Sequence, residues 1–422
     1  MKFEYLTREI KSVHPLTFLA RAFALLALFS VPLSTAGVNI GATLFAVFAV
    51  LSPDVWRNWR LLFTNRVAVA AIALAAVLTL SLAWTEGDRA HAIDFLMKYR
   101  KLVYLPLLIL VFNNCTQIWT TVAKWGMFST FTCLLLLSTS NWLGWTAIGE
   151  WHSDIDPVRR AWVFKDHIAA GILMALLFYL ALNLATQVKS LTAKIALYAV
   201  ALLTLINELV MMQGRTGQII VILFLLGYIF SYFAPLRNAK SSKRLLGGVA
   251  LVAAAAGFLF LAVHSPGSRL AETHSEIRAF ETSNESTSMG IRIVYYQRSL
   301  KLIAERPLFG HGVGSVQEEF EAFARNHTGA KAATGANPHN EFLLMGDQLG
   351  IVGIALFVFL LVQIGRSAFD VPKPARQIVL AYLFAFSIGC FVNSLLLNFT
   401  EGNVFIFLTG IFLSFRAKEV ST

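Results

Sequence analysis

The segment Gly335-Ala-Asn-Pro-His339 runs directly into NEFLLMGDQLGIVGIALFVFLLVQI, residues 340–364. A polar approach containing proline is followed by an apolar stretch of membrane-crossing length, since a helix needs about 20 such residues to span a bilayer. Runs of the same kind lie near 16–34, 38–52, 66–84, 102–113, 118–140, 167–187, 193–212, 216–234, 245–263, 375–396 and 402–416. They predict an all-α polytopic membrane protein with about 12 transmembrane helices. Of the 422 residues, 57% are hydrophobic and 14% charged, against about 25% charged in an ordinary soluble domain. The first run reads as a retained helix and not a cleaved signal, because many further spans follow. Cys115, Cys133 and Cys390 form no CxxC pair, so no disulfide framework or cysteine metal site is expected.

Orientation follows from the excess of Lys and Arg in cytoplasmic loops. With the N-terminus inside, the inner face receives Lys2, Arg8 and Lys11, then Arg57, Arg60 and Arg66, and Lys189 and Lys194. It also receives Arg237, Lys240, Lys243 and Arg244, then Arg366, Lys373 and Arg376, and last Arg416 and Lys418. Both termini are then cytoplasmic. The net charge of +11 is spread over loops between spans, a pattern of topology and contact with anionic membrane lipids and not of nucleic-acid binding. The chain divides into spans one to nine (1–263), an outer loop (264–339), and the last three spans with a cytoplasmic C-terminus (340–422). Within the loop, Ile291, Val294, Tyr295 and Leu302 share one helical face. Arg306-Pro-Leu-Phe-Gly-His-Gly-Val-Gly314 then ends that helix, and a second amphipathic piece covers about 315–324.

Basic residues on the outer side are those the topology does not explain. Arg215, in Gln213-Gly-Arg-Thr-Gly-Gln218, reads either as a snorkelling interfacial arginine or as an anion clamp whose flanking glycines let a phosphate approach. Arg292 is either a solvated residue of the loop helix or a second clamp. Lys98, Arg100 and Lys101, and the group Arg159, Arg160, Lys165 and His167, add positive charge on the outer face, where an anionic lipid or a pyrophosphate would be attracted.

In the opening segment, Asn337 suits an N-cap and Pro338 the first helical position, which places His339 and Asn340 in the first turn of a span. There the helix dipole favours an anion and a neutral imidazole, so His339 is either a capping residue or a general base beside an anion site. Asp347, seven residues beyond Asn340 on the same face, needs a partner or a proton within the span. No Walker loop, HExxH or paired DxD motif occurs, and His264, His274, His311 and His327 lack metal-ligand spacing. No metal or cofactor is expected.

The order of these features, Gly-Arg-Thr-Gly, a loop arginine before Arg306–Gly314, and Pro338-His339-Asn340-Glu341-Phe342, resembles the bacterial O-antigen ligase family. That superfamily includes O-antigen polymerases and protein O-oligosaccharyltransferases. The resemblance implies a GT-C-like, metal-independent inverting glycosyltransferase of the inner membrane with a periplasmic active site. Its donor would be a glycan on undecaprenyl diphosphate and its acceptor lipid A–core. Carried over, the arginine of the Gly-Arg-Thr motif is Arg215, the loop arginine is Arg292 or the nearby Arg298, and the family histidine is His339, followed by Asn340. Arg215 and Arg292 would neutralise the departing diphosphate, His339 would deprotonate the acceptor hydroxyl, and Asn340 would orient the histidine or sugar. Lys98, Arg100, Lys101, Arg159, Arg160 and Lys165 would receive the phosphates of lipid A–core, with His167, Arg298, His311 and Asp347 as further candidates. A polymerase or protein transferase would use similar residues. A lipid or glycan transporter would instead need charges at mid-membrane, whereas the mid-span sequence here is apolar. The oligomeric state is not legible in the sequence.

Overall fold

A computed structural model describes residues 13–233 and 269–414, with positions 249, 253, 256, 257, 260 and 264 between them. Apart from those few positions, the expected span 245–263 lies outside the described residues. So do Lys2, Arg8, Lys11, Arg237, Lys240, Lys243, Arg244, Arg416 and Lys418. No strand occurs among the described residues. The main helices are α1 (Pro15–Ser30), α2 (Thr35–Leu51), α3 (Arg66–Leu80), α4 (Arg89–Lys98), α5 (Lys101–Val111) and α6 (Gln117–Trp142). They continue with α7 (His167–Gln187), α8 (Leu191–Ile206), α9 (Arg215–Phe233), α10 (Arg269–Ser283) and α11 (Ser288–Glu305). The last are α12 (Val316–Ala324), α13 (Glu341–Ser367), α14 (Lys373–Gly389) and α15 (Phe399–Leu413).

Among the described residues, five helices are long and apolar enough to cross a membrane: Arg66–Ala83, Gln117–Trp142, His167–Gln187, Leu191–Met212 and Glu341–Asp370. Pro15–Ser30, Thr35–Leu51, Arg215–Phe230 and Phe399–Leu413 are shorter apolar helices. This is the build of a polytopic membrane protein, and large apolar side chains such as Leu51, Leu80, Leu136 and Phe230 are exposed. Helix starts follow local chemistry. Ser34, Asn65, Asp88, Asp166, Ser190, Thr287 and Asn340 each accept a bond from a backbone N–H of the following turn, satisfying donors that have no partner within the helix.

The chain forms two compact units, residues 1–127 with 276–422, and residues 128–275. In the first, α1 packs on α2, α3 on α5 and α13, and α15 on α5 and α14. Every residue of α15 from Thr400 to Leu413 is buried, as befits a helix apolar all round. Gly41 lets α2 approach α1, because a Cβ there would stand 2.6 Å from the Ala27 nitrogen. In the second unit, α7 is almost wholly buried and packs on α8 and α9. A π-helical segment, Asn207–Met212, ends α8.

α13 is not the single continuous span its sequence suggests. Gly350 has φ 63° and ψ −154°, a backbone region open essentially to glycine alone. The loop after α11 repairs the break. Pro307 O accepts from Ile351 N–H at 2.8 Å, while His311 and Gly312 donate to the Asp347 and Gln348 carbonyls, each at 2.9 Å. An unpaired peptide group at membrane depth costs several kcal/mol, so the loop's backbone stands in for the missing turn. Gly310 and Gly312 have φ +60° and +89°, and a Cβ on Gly310 would meet Asp347 O at 2.6 Å. Thr85 Oγ1 donates to Val313 O at 2.8 Å and Glu86 N–H to His311 O at 3.0 Å, tying the loop to the segment before α4. The glycine-rich motif thus does more than terminate α11.

α14 ends at Gly389, short of the expected 396, because residues 390–398 form a loop held by buried side chains described below.

Gly350→Ala is expected to destabilise the protein by about 1–3 kcal/mol from backbone strain alone, with a further loss from overlap with Leu308. Thermal unfolding in detergent checks this, with Gly227→Ala as control, since a Cβ at Gly227 would meet nothing within 4 Å. Equal melting of the Gly350 variant and the wild type would refute the repaired-break account.

Candidate functional site

His339 sits just ahead of α13, not in its first turn. Asn340 is the N-cap, its Oδ1 accepting from Phe342 N–H at 2.9 Å and Leu343 N–H at 3.1 Å. This corrects the expectation that Asn337 caps the helix. Asn337 Oδ1 instead accepts the His339 N–H at 2.9 Å and lies 3.3 Å from Ser394 Oγ, an Asx turn that offers the chain an alternative to the helix. His339 takes φ 55°, an uncommon conformation for a non-glycine residue and one that clusters at functional sites.

The surroundings hold it there. The Tyr296 hydroxyl lies 2.6 Å from Phe391 O and 3.3 Å from His339 O, and Asn340 Nδ2 donates to Phe391 O at 2.9 Å. The Tyr295 ring lies nearly parallel to the imidazole, centroids 6.1 Å apart. Arg292, Tyr295, Tyr296 and Ser299 recur at three- and four-residue spacing along α11, so one face of that helix addresses the start of α13. Burial first, and then the Arg292 guanidinium, push the His339 imidazole down to about 4. The expected neutral ring is therefore produced by desolvation and a neighbouring cation, not by a place in the first helical turn.

A cavity of about 360 Å³ opens beside this loop, lined by Asn39, Lys98, Arg100, Lys101, Asn337, Asn398 and Asn403 among others. Lys98 and Arg100 are exposed, and Arg100 donates to Asn39 Oδ1 at 3.1 Å. Lys101 differs. Its buried ammonium donates to the carbonyls of Leu396, Leu397 and Asn398 at 2.8, 3.0 and 2.6 Å. Glu341 Oε2 meanwhile accepts from Leu396 N–H at 2.7 Å and Leu397 N–H at 3.2 Å. The pair fixes the α14–α15 loop by both its donors and its acceptors, so Lys101 shapes the cavity wall with its charge already engaged.

Other candidates have structural partners. Arg298 donates to Phe320 O at 2.7 Å and Lys331 O at 2.8 Å, with its guanidinium 3.5 Å from the Phe323 ring centre; it binds α11 to α12. Buried Asp347 accepts from Ser299 Oγ at 2.6 Å, which supplies the partner the sequence called for. His311 meets Glu86 at 2.6 Å, and Glu86, His311 and Glu319 come within 4.8 Å of one another. Sequence spacing gives no sign of that cluster, because its members are far apart in the chain.

In the second unit, His167 opens α7 with its ring stacked on Trp162 at 4.7 Å. Exposed Arg159 pairs with Asp156 at 3.4 Å, Arg160 is half-buried, and Lys165 is buried. Arg215 opens α9 and is half-buried. The glycines beside it have a packing role: a Cβ on Gly217 would stand 2.7 Å from Gly171 Cα, and buried Glu208 lies against Gly171, Gly214 and Gly217.

Removing Lys101 should unfold the cavity wall. Lys101→Met leaves the carbonyls of Leu396, Leu397 and Asn398 without their donor, a loss of about 1–3 kcal/mol for a buried acceptor left unsatisfied. Exposed Lys98→Met should instead yield folded protein in normal amount. Monodispersity and melting temperature in detergent separate the two variants.

Residues 199–358 match the family model described as O-antigen ligase. No curated protein matches the chain. The matched stretch contains Gly214-Arg215-Thr216-Gly217, Arg292, the Arg306–Gly314 loop that repairs α13, and the Pro338-His339-Asn340 turn. Over residues 199–358 the chain is similar to the O-antigen ligase family.

Proposed function

We propose that the chain is an inner-membrane glycosyltransferase that moves a glycan from undecaprenyl diphosphate to a core sugar of lipid A–core on the periplasmic face. The observation that carries this reading is His339. It is held in a left-handed turn and kept neutral by burial and Arg292, and Asn337 of the same turn lines a cavity bearing Lys98 and Arg100. A neutral imidazole is the form that accepts a proton. His339 removes the proton from the acceptor hydroxyl as its oxygen attacks the anomeric carbon. The bond to the diphosphate breaks with inversion, and Arg292 takes up the charge that develops on the leaving group. A bound diphosphate offsets the positive field of Arg292, which raises the basicity of His339 when the donor is in place.

Tyr296 and Asn340 fix the turn by way of Phe391 O. The exposed charges of Lys98 and Arg100 suit the phosphates of lipid A–core, which favours a phosphorylated acceptor over a second lipid-linked repeat or a protein hydroxyl. Arg215 enters as a further diphosphate-binding arginine through its sequence motif and not through its position. About twelve spans with both termini in the cytoplasm complete the proposed topology.

His339→Ala should lower glycan transfer by about 10²–10⁴-fold, the usual weight of a general base. Arg292→Ala should cost about 10²–10³-fold, as for loss of one charge-stabilising donor. Gel analysis of lipopolysaccharide and of lipid-linked glycan is the readout, at matched protein abundance. Loss of ligation leaves bare lipid A–core while polymerised glycan accumulates on the carrier lipid. A single repeat on the core would point to polymerase activity, and normal banding would reject transfer altogether.

The pH profile is a separate check. Below its pKa the imidazole already holds a proton and cannot accept another, so activity is lost on the acid side. The acid limb of kcat/KM should lie toward pH 4, well below the about 6.5 of an ordinary histidine. Arg292→Gln removes one of the two causes, so its residual activity should show this limb shifted to higher pH.

A further inference from the structure

Away from His339, three side chains from separate parts of the first unit converge at the base of the loop that repairs α13. His311, 4% exposed, belongs to that loop, Glu86 to the segment before α4, and Glu319 to α12. One ligand atom from each lies within 4.8 Å of the other two. His311 is fixed at both backbone ends, its N–H on Asp347 O at 2.9 Å and its carbonyl on Glu86 N–H at 3.0 Å.

The protonation pattern of the ring is informative. His311 Nε2 lies 3.1 Å from Leu302 O, and a carbonyl can only accept, so Nε2 carries the hydrogen. In a neutral ring Nδ1 then presents a lone pair, and it faces Glu86 Oε2 at 2.6 Å, which also presents lone pairs. Two acceptors at that distance require something positive between them. A second proton on the ring would satisfy this one contact but would leave the Glu319 carboxylate as a third acceptor within 4.8 Å. Arg306 pairs with the other Glu86 oxygen, Oε1, and leaves Oε2 directed at the histidine.

We propose that Glu86, His311 and Glu319 bind one divalent cation, with Zn²⁺ the best chemical match. One imidazole nitrogen and two carboxylates form a three-ligand set of the kind Zn²⁺ takes, with water completing the shell. Adjacent ligands of tetrahedral Zn²⁺ stand roughly 3.3 Å apart, given bonds near 2.0–2.1 Å. Reaching that spacing requires a small rotation of Glu86, whose side chain is at the surface. The Nε2–H bond to Leu302 O is the outer hydrogen bond that metal-bound histidines usually make, and it fixes the tautomer that ligates through Nδ1. The cation cross-links α12 and the segment before α4 to the repair loop. Its role is structural and independent of the transfer reaction proposed above.

The test uses the full-length chain in detergent, purified on a tag without histidine and stripped with chelator. It is dialysed to equilibrium against ZnCl₂, and bound metal is measured by mass spectrometry. One Zn²⁺ per chain is expected, together with a higher melting temperature. Glu319→Gln should weaken binding at least tenfold and His311→Gln should abolish it. His327→Ala, just after α12, should bind as the wild type does. Co²⁺ loaded in place of Zn²⁺ should give a visible spectrum that the Glu319→Gln variant lacks. Wild-type protein that takes up less than a tenth of an equivalent overturns the proposal. So does a full equivalent retained by Glu319→Gln and Glu86→Gln alike. Should His311→Gln fail to fold, the wild-type stoichiometry and the glutamate variants decide.

Discussion

A long apolar helix cannot be interrupted within a membrane unless other groups take over its hydrogen bonds. α13 is interrupted at Gly350, and the peptide groups around the break pair with Pro307, Leu308, His311 and Gly312 of a loop remote in sequence. Much of the first unit follows from this one repair. The loop must approach the helix backbone closely, which requires Gly310 and Gly312. It must also be held in place, which Trp84, Thr85 and Glu86 do from the segment before α4. α11 leads into that loop, so its orientation is set too. The face it turns toward α13 carries Arg292, Tyr295, Tyr296 and Ser299.

The candidate site uses the rigidity so obtained. His339 occupies a conformation that would be unfavourable in a free chain, and it persists because Asn337, Asn340, Tyr296 and the carbonyl of Phe391 determine its backbone from several sides. Tyr295 lies along the ring while Arg292 supplies a positive field. Around the cavity, the Lys101–Glu341 arrangement fixes the α14–α15 loop, and Lys98 and Arg100 remain exposed at its rim. The division between charges engaged in structure and charges left at the surface separates residues with similar sequence signals. Lys98 and Lys101 are three positions apart, yet they stand in opposite situations.

Local chemistry made a large part of this legible. Helices occupy most of each expected apolar segment where residues are described, α14 ending early at Gly389, and many starts fall on capping Ser, Thr, Asn and Asp residues. The two amphipathic pieces of the loop became α11 and α12. The Pro-His-Asn turn was recognisable as a special place, but its cap was misassigned by three residues. Asn337 and Asn340 are equally good caps by type, and only the Asx turn at Asn337 and the bond of Asn340 to Phe391 O distinguish them. The glycines beside Arg215 suggested room for a phosphate. In the folded unit they make room for Glu208 and α7.

Sequence by itself determined the helical membrane architecture, most helix starts and the likeness to O-antigen ligases over residues 199–358, because hydrophobic run length, capping and short motifs act over a few neighbouring residues. Tertiary structure alone decided the break in α13 and its repair, the engagement of Lys101 and Arg298, and the pairing of Asp347 with Ser299. It also brought Glu86, His311 and Glu319 together. Each of these depends on partners far along the chain, and the cost of leaving a buried polar group unpaired is settled only when the whole unit has packed.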